Sequence, residues 1–186
     1  QSVYGELIEV PMMVWGPAWV KPGTVVEPTV QTIDLAPTLL DLAGIAVPAT
    51  MQGKSLAPLV ARNDGGAKFT SRAAFSQSLF SGFDKKHEPD ETESFSIVRG
   101  GFQLIHFTTR PEGHAEFELY DHANDPLDTK NLAAEQPDRV ERMSRELELW
   151  KKWAIAARAT VGVDDGKAEA MTPDELRDLQ QLGYVK

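Results

Sequence analysis

Between residues 6 and 17 the chain reads "ELIEVPMMVWGP", with apolar side chains almost unbroken from Val10 to Trp15. A run of that length, closed by Gly16-Pro17, predicts a strand covered on both faces, as in an α/β sheet. Pro11 lacks an N–H for a ladder and should stand at the start of that strand or beside a bulge. "KPGTVVEP" is a loop turned by Pro22-Gly23. The periodicity then changes. "TIDLAPTLLDLAG" predicts a helix with Thr32 or Asp34 as N-cap, Pro37 near its first turn and Gly44 as a left-handed stop. Ile33, Ala36, Leu40 and Ala43 form its expected buried stripe.

After Gly44 periodicity is lost over a Gly- and Pro-rich connector, with residues 63–67 the best boundary between lobes. Three strand patterns follow without an intervening helix: "RAAFSQSLF", "SFSIVRGGFQLIHF" and "EFELYD". The middle one is a hairpin, two β-rich runs joined by Gly100-Gly101, which tolerate the positive φ of a tight turn. "QPDRVERMSRELELWKKWAIAARAT" is helical, with Pro137 at the first position and an apolar stripe of Val140, Met143, Leu147, Trp150 and Ala154. That stripe must lie on something, and the adjoining sheet is the nearest surface. "TPDELRDLQQLGYV" carries a capping box, Thr172 with Glu175, and ends at Gly183. The fold class is therefore an α/β remnant, a strand plus helix of a large mixed sheet, followed by an α+β subdomain of small antiparallel sheet and packed helix. The expected domains are residues 1–64 and 65–186.

Composition adds exclusions. With 186 residues, 41% of them hydrophobic and 25% charged, the chain is ordinary globular material. A net charge of −9 argues against a nucleic-acid partner, which needs a basic face. No apolar run approaches the ~20 residues of a membrane-spanning helix. The absence of cysteine removes disulfides and thiol chemistry. Gln1 is not a natural start, so the chain is expected to be a fragment or processed product.

The aspartates of "FELYDHANDPLDTKNLA" (117–133) invite a calcium-loop reading, which their spacing refutes. Counted from Asp121, the third, sixth and twelfth positions are Ala123, Pro126 and Leu132, where such a loop needs an oxygen ligand, a glycine and a glutamate. The polar groups are instead expected to cap a turn. His106 should be a surface or edge residue, and His114 and His122 structural, since none has a partner at metal-ligand spacing. Lys85, Lys86 and His87 differ, because they sit in a long charged loop, "FSGFDKKHEPDETES", that could reach an anionic substrate. Arg139, Arg142, Arg145, Lys151 and Lys152 alternate with acids along one helix, the pattern of a solvated face.

Several of these stretches occur together, in order, in one known family. "VPMMVWGPAWVKPGTVVEPTVQTIDLAPTLLDLAGIAVP" resembles the strand–loop–helix segment of sulfatases, in the alkaline phosphatase superfamily, and "MQGKSLAPLV" the segment after it. "SIVRGGFQLIHF" resembles their C-terminal hairpin, "FELYDHANDPLDTKNLA" the turn that follows, and "LQQLGYV" their tail. The resemblance implies a hydrolase of sulfate esters with a formylglycine nucleophile, made from Cys or Ser in C/S-x-P-x-R. It also implies a divalent cation, usually calcium, and Lys and His side chains around the sulfate. This sequence has neither S-x-P-x-R nor an acidic cation motif, and Gln1 is expected to fall just after those motifs end. The resemblance thus places the catalytic and metal residues outside the chain and makes the missing N-terminal part of the domain its first partner. It implies a small-molecule or saccharide sulfate ester as substrate, and a periplasmic or secreted location. Two alternatives stay open: a phosphatase or phosphonate monoester hydrolase of the same superfamily, and a non-catalytic packing or assembly domain.

Overall fold

The computed structural model describes residues 3–16, 18–61, 69–78, 93–108, 113, 115–160 and 170–184, with the side chains of 158–160 excepted. It divides into two compact units, one of residues 1–10 with 73–152 and the other of 11–72 with 153–186.

The first unit is built on a four-stranded antiparallel sheet in sequential order, β1 (Ala74–Ser78), β2 (Ser94–Arg99), β3 (Phe102–Phe107) and β4 (Phe117–Asp121). The β2–β3 turn is the predicted Gly100-Gly101, with φ of 58° and 80°, values that a side chain would strain. Register sorts the side chains by face. Phe95 pairs with His106, Ile97 with Leu104 and Arg99 with Phe102, and Leu119 and Phe117 of β4 complete that face. Helix α4 (Pro137–Thr160) lies across it, as its stripe demands. Phe75 stacks on Trp150 at 4.7 Å between centroids, the Arg139 guanidinium sits 3.6 Å over Phe102, and Lys151 sits 4.4 Å over Phe95. Met143 and Leu147 are buried.

The opposite face carries Gln103, Ile105, Phe107, Glu118 and Tyr120. Val3, Tyr4 and Ile8 cover part of it, packed against Ile105, Phe107 and Tyr120. Residues Gly5–Ile8 form a one-turn helix, α1, where the sequence predicts the opening of a strand. Residues 9–16 form no ladder with any described residue. The physical reason is the absence of a neighbouring strand: extended chain becomes sheet only by exchanging backbone hydrogen bonds. Met13 is 92% exposed and Trp15 89% exposed.

In the second unit, a 3₁₀ turn (Thr32–Asp34) leads into α2 (Leu35–Leu42). Gly44, with φ of 71°, ends the helical turn. Asp34 precedes α2 as expected, yet caps none of its first N–H groups. Its carboxylate instead accepts from the Gln31 amide (3.0 Å), the Lys54 amide (2.8 Å) and the Arg72 guanidinium. The Thr38 hydroxyl donates to the Asp34 carbonyl and accepts from the Leu56 amide (2.8 Å). The buried side of α2 is thus Asp34, Pro37 and Thr38, and the predicted stripe is reversed: Ile33, Ala36 and Ala43 are exposed and Leu40 is half-buried. Polar groups took the inner side because Asp34 and Thr38 accept from the Lys54 and Leu56 amides of the aperiodic connector. The connector also holds α3 (Ala57–Val60), and Ala61 bridges Val20. Helix α5 (Pro173–Leu182) forms with its capping box, the Glu175 amide donating to Thr172 Oγ1 and the Thr172 amide to Glu175 Oε2. Gly183 closes it at φ 86°.

The expected division falls between residues 64 and 65. Within this chain, a cut there would take Val3, Tyr4 and Ile8 from the cluster they share with the sheet.

Candidate functional site

The turn after β4 is built from side-chain caps. Asn124 Nδ2 donates to Asp121 Oδ2 (2.9 Å), while Asp125 accepts from the Thr129 hydroxyl and the Lys130 amide (both 2.8 Å). Asn131 Oδ1 accepts from the Leu119 and Ala133 amides, and the Leu132 amide returns to the Leu119 carbonyl (2.7 Å). These acceptors tie the bend to itself and to β4, taking backbone amides at Leu119, Lys130 and Ala133. The Lys130 amide, then the Thr129 hydroxyl, holds the Asp125 carboxyl below its usual pKa.

What the sequence does not foretell is the reach of this turn. Asp128, at φ 52° the one non-glycine residue of positive φ among those described, accepts from the Gly5 amide at 3.0 Å. Gln103 Nε2 donates to the Val3 carbonyl (2.6 Å), and its oxygen accepts from His122 Nε2 (2.5 Å). The Tyr4 hydroxyl donates to Glu118 Oε2 (2.6 Å), which also accepts from the Tyr120 hydroxyl (2.8 Å). Burial, then the bond to Glu118, pushes both phenols far above their usual pKa, so both stay donors. His122 Nδ1 and Asp128 Oδ1 are buried without a hydrogen-bond partner, although His122 Nδ1 lies 3.5 Å from Glu9 Oε1 and its Nε2 3.6 Å from Asp128 Oδ1. His122 stands beside groups from three separate segments, Glu9, Gln103 and Asp128.

The expectation for His106 is corrected. It lies on an inner strand with a side chain only 15% exposed, stacked on Phe117 at 4.6 Å and 3.5 Å from Glu148. Helix α4 covers that face, which alternation within the strand alone could not tell. Burial first, then the charge of Lys151, lowers its pKa below 6.5. The unfolded chain therefore takes up the proton first, and stability is expected to fall as pH drops from about 7 to 5. Urea midpoints at the two ends of that range should converge in His106→Gln; equal pH slopes in variant and parent would contradict this. The Asp125 contribution is lost at lower pH, as pH falls below the ordinary carboxyl value of 3.8.

Lys85, Lys86, His87 and His114 lie outside the described residues. Among the described residues, no group of three or more His, Asp or Glu is arranged to hold a metal ion, and no helix is long and apolar enough to cross a membrane. Asp121, Asp125 and Asp128 each accept from at least one N–H or O–H donor of this chain. This geometry holds backbone in place.

A family model described as N-sulphoglucosamine sulphohydrolase, C-terminal, matches residues 1–152. An N-acetylglucosamine-6-O-sulfatase of Bacteroides thetaiotaomicron is 30% identical over 152 residues, 81% of this chain and 26% of its own length. A structure solved in complex with its substrate D-glucosamine-2-N,6-O-disulfate superposes with a TM-score of 0.56 at 29% identity, over 73% of this chain and 26% of that one. A phosphonate monoester hydrolase from Silicibacter pomeroyi superposes with a TM-score of 0.53 at 27% identity, over 69% and 26%. The chain thus spans about a quarter of the length of these relatives.

Proposed function

The chain belongs to the N-sulphoglucosamine sulphohydrolase C-terminal family, and from that membership we propose that it is the C-terminal part of a sulfatase-like hydrolase cleaving the sulfate ester of a saccharide. The observation that carries this reading is the family match over residues 1–152. Relatives named for glucosamine sulfates support the substrate class. The rest of the enzyme would contribute the formylglycine nucleophile and the divalent cation, calcium in the first instance. Among the described residues no three His, Asp or Glu are gathered to hold that cation, and Asp121, Asp125 and Asp128 each accept from a donor of this chain, Asn124, Lys130 and Gly5. The part of this chain is scaffolding, a sheet with α4 on one face and residues 3–8 on the other. Exposed Met13, Trp15, Ile33 and Leu39 are apolar surface that the larger domain would cover. Lys85, Lys86 and His87 are proposed to approach the anionic substrate.

The likeness to a phosphonate monoester hydrolase favours one second reading, the same architecture serving phosphonate esters. Both are tested by assaying the longer enzyme that carries this chain on a glucosamine 6-sulfate and on a phosphonate monoester, with calcium and with chelator. Sulfate release dependent on the cation is expected. Turnover of the phosphonate alone would replace the first reading with the second, and turnover of neither would leave a packing domain.

A further inference from the structure

Three consecutive residues, Val3, Tyr4 and Gly5, are each gripped by a different side chain of the first unit. Gln103 of β3 holds the Val3 carbonyl, Glu118 of β4 the Tyr4 hydroxyl, and Asp128 of the turn the Gly5 amide, at 2.6, 2.6 and 3.0 Å. The partners are separated in sequence by 100, 114 and 123 residues. Apolar packing of Val3 and Tyr4 on Ile105, Phe107 and Tyr120 would by itself hold the segment to the sheet. Such packing is non-directional and allows sliding; hydrogen bonds to successive residues do not, because each weakens steeply as its angle departs from linear. Two further features are hard to explain by adhesion alone. Gly5 admits no side chain, since a Cβ there would come within 2.5 Å of His122 Cε1. Asp128 keeps a left-handed φ of 52°, a strained conformation for a side-chain-bearing residue, of the kind retained where its geometry is used. The Val3 carbonyl can only accept, so it turns the Gln103 Nε2 toward itself and leaves Oε1 facing buried His122.

We propose that Gln103, Glu118 and Asp128 form a three-point clamp that fixes the register of Val3–Gly5, and that they are positioning residues for the active site of the longer enzyme. The second half rests on the reading that the reacting groups lie in the part of the enzyme outside this chain. The clamp sets where the backbone at residues 3–5 stands against the sheet, and reacting groups displaced by even 1 Å can lose on the order of 100-fold in rate.

The clamp itself is read by amide hydrogen exchange on the 186-residue chain. Asp128→Ala should speed exchange at Gly5 by about tenfold or more, while the Leu119 amide, held by Asn131, stays protected. Equal Gly5 exchange in variant and parent overturns the clamp. Positioning is read in the longer enzyme. Asp128→Ala and Gly5→Ala should lower kcat roughly ten- to a hundredfold with KM within about twofold. Asp128→Asn, which keeps an acceptor oxygen, should recover most of the loss, and Lys130→Ala on the exposed side of the turn should change nothing. Should Asp128→Ala fail to fold, Gln103→Met frees the Val3 carbonyl and takes its place. A fall in folded protein with kcat per folded enzyme unchanged means the three residues only stabilise, and overturns positioning. If the enzyme turns over a phosphonate and no sulfate, the sulfatase reading fails while the kcat and KM split is read on the phosphonate. An enzyme that turns over neither ester overturns positioning.

Discussion

Incubated with an aryl sulfate and calcium, the 186-residue chain alone is expected to release no sulfate above background. Sulfate-ester hydrolysis needs an activated nucleophile and cationic groups around the equatorial oxygens. Cysteine is absent from the whole sequence, and so is S-x-P-x-R. Among the described residues two basic side chains of α4 are engaged locally, Arg139 over Phe102, and Lys151 with Glu148 and over Phe95. The comparison is with the longer enzyme on the same ester, where the missing groups would restore turnover by many orders of magnitude. Calcium-dependent release of sulfate by the isolated chain would overturn the assignment of chemistry to the rest of the enzyme.

The largest effect on stability is expected from Arg72→Ala. Asp34 is 1% exposed and Arg72 6%, and their side chains form a close ion pair. The Arg72 guanidinium also lies 5.7 Å from the ring centre of Tyr184. Removing the cation leaves a carboxylate in the interior, with the Gln31 and Lys54 amides as its remaining donors. Breaking a buried pair on one side costs about 3–5 kcal/mol. Arg99→Ala is the matched control, because Arg99 and Glu146 form a 2.6 Å pair with side chains 41% and 21% exposed. Such a pair contributes about 0–1 kcal/mol. Urea unfolding of the two variants should separate them clearly, and a loss in Arg72→Ala no greater than in Arg99→Ala would contradict the account.

Much of both units was legible in the chain where the signals are local. Gly100-Gly101 dictates a hairpin turn, Pro137 and the stripe through Met143 and Leu147 dictate α4, and Thr172 with Glu175 dictates the start of α5. The capping role of Asp125 and Asn131 followed from the chemistry of short polar side chains beside a bend. The family itself was legible in the order of those local pieces. Long-range partners were not. Nothing near Asp128 in sequence says that its carboxylate holds Gly5, because 123 residues separate them. Alternation within β3 shows that His106 and Phe107 point opposite ways, and only the packing of α4 decides that the His106 side is covered too. The stripe of α2 failed for the same reason. Amphipathicity states that one side is buried without naming the neighbour, and here the neighbour was a connector whose amides sought Asp34 and Thr38. The run from Val10 to Trp15 has the composition of a covered strand, yet a strand is a relation between two segments, and no described residue supplies the second. Propensity, capping and turn chemistry are carried by a few adjacent residues, so the sequence by itself determined the elements and their ends. Which faces meet, and which polar groups find each other inside, depends on contacts between distant segments, and that only the tertiary structure decided.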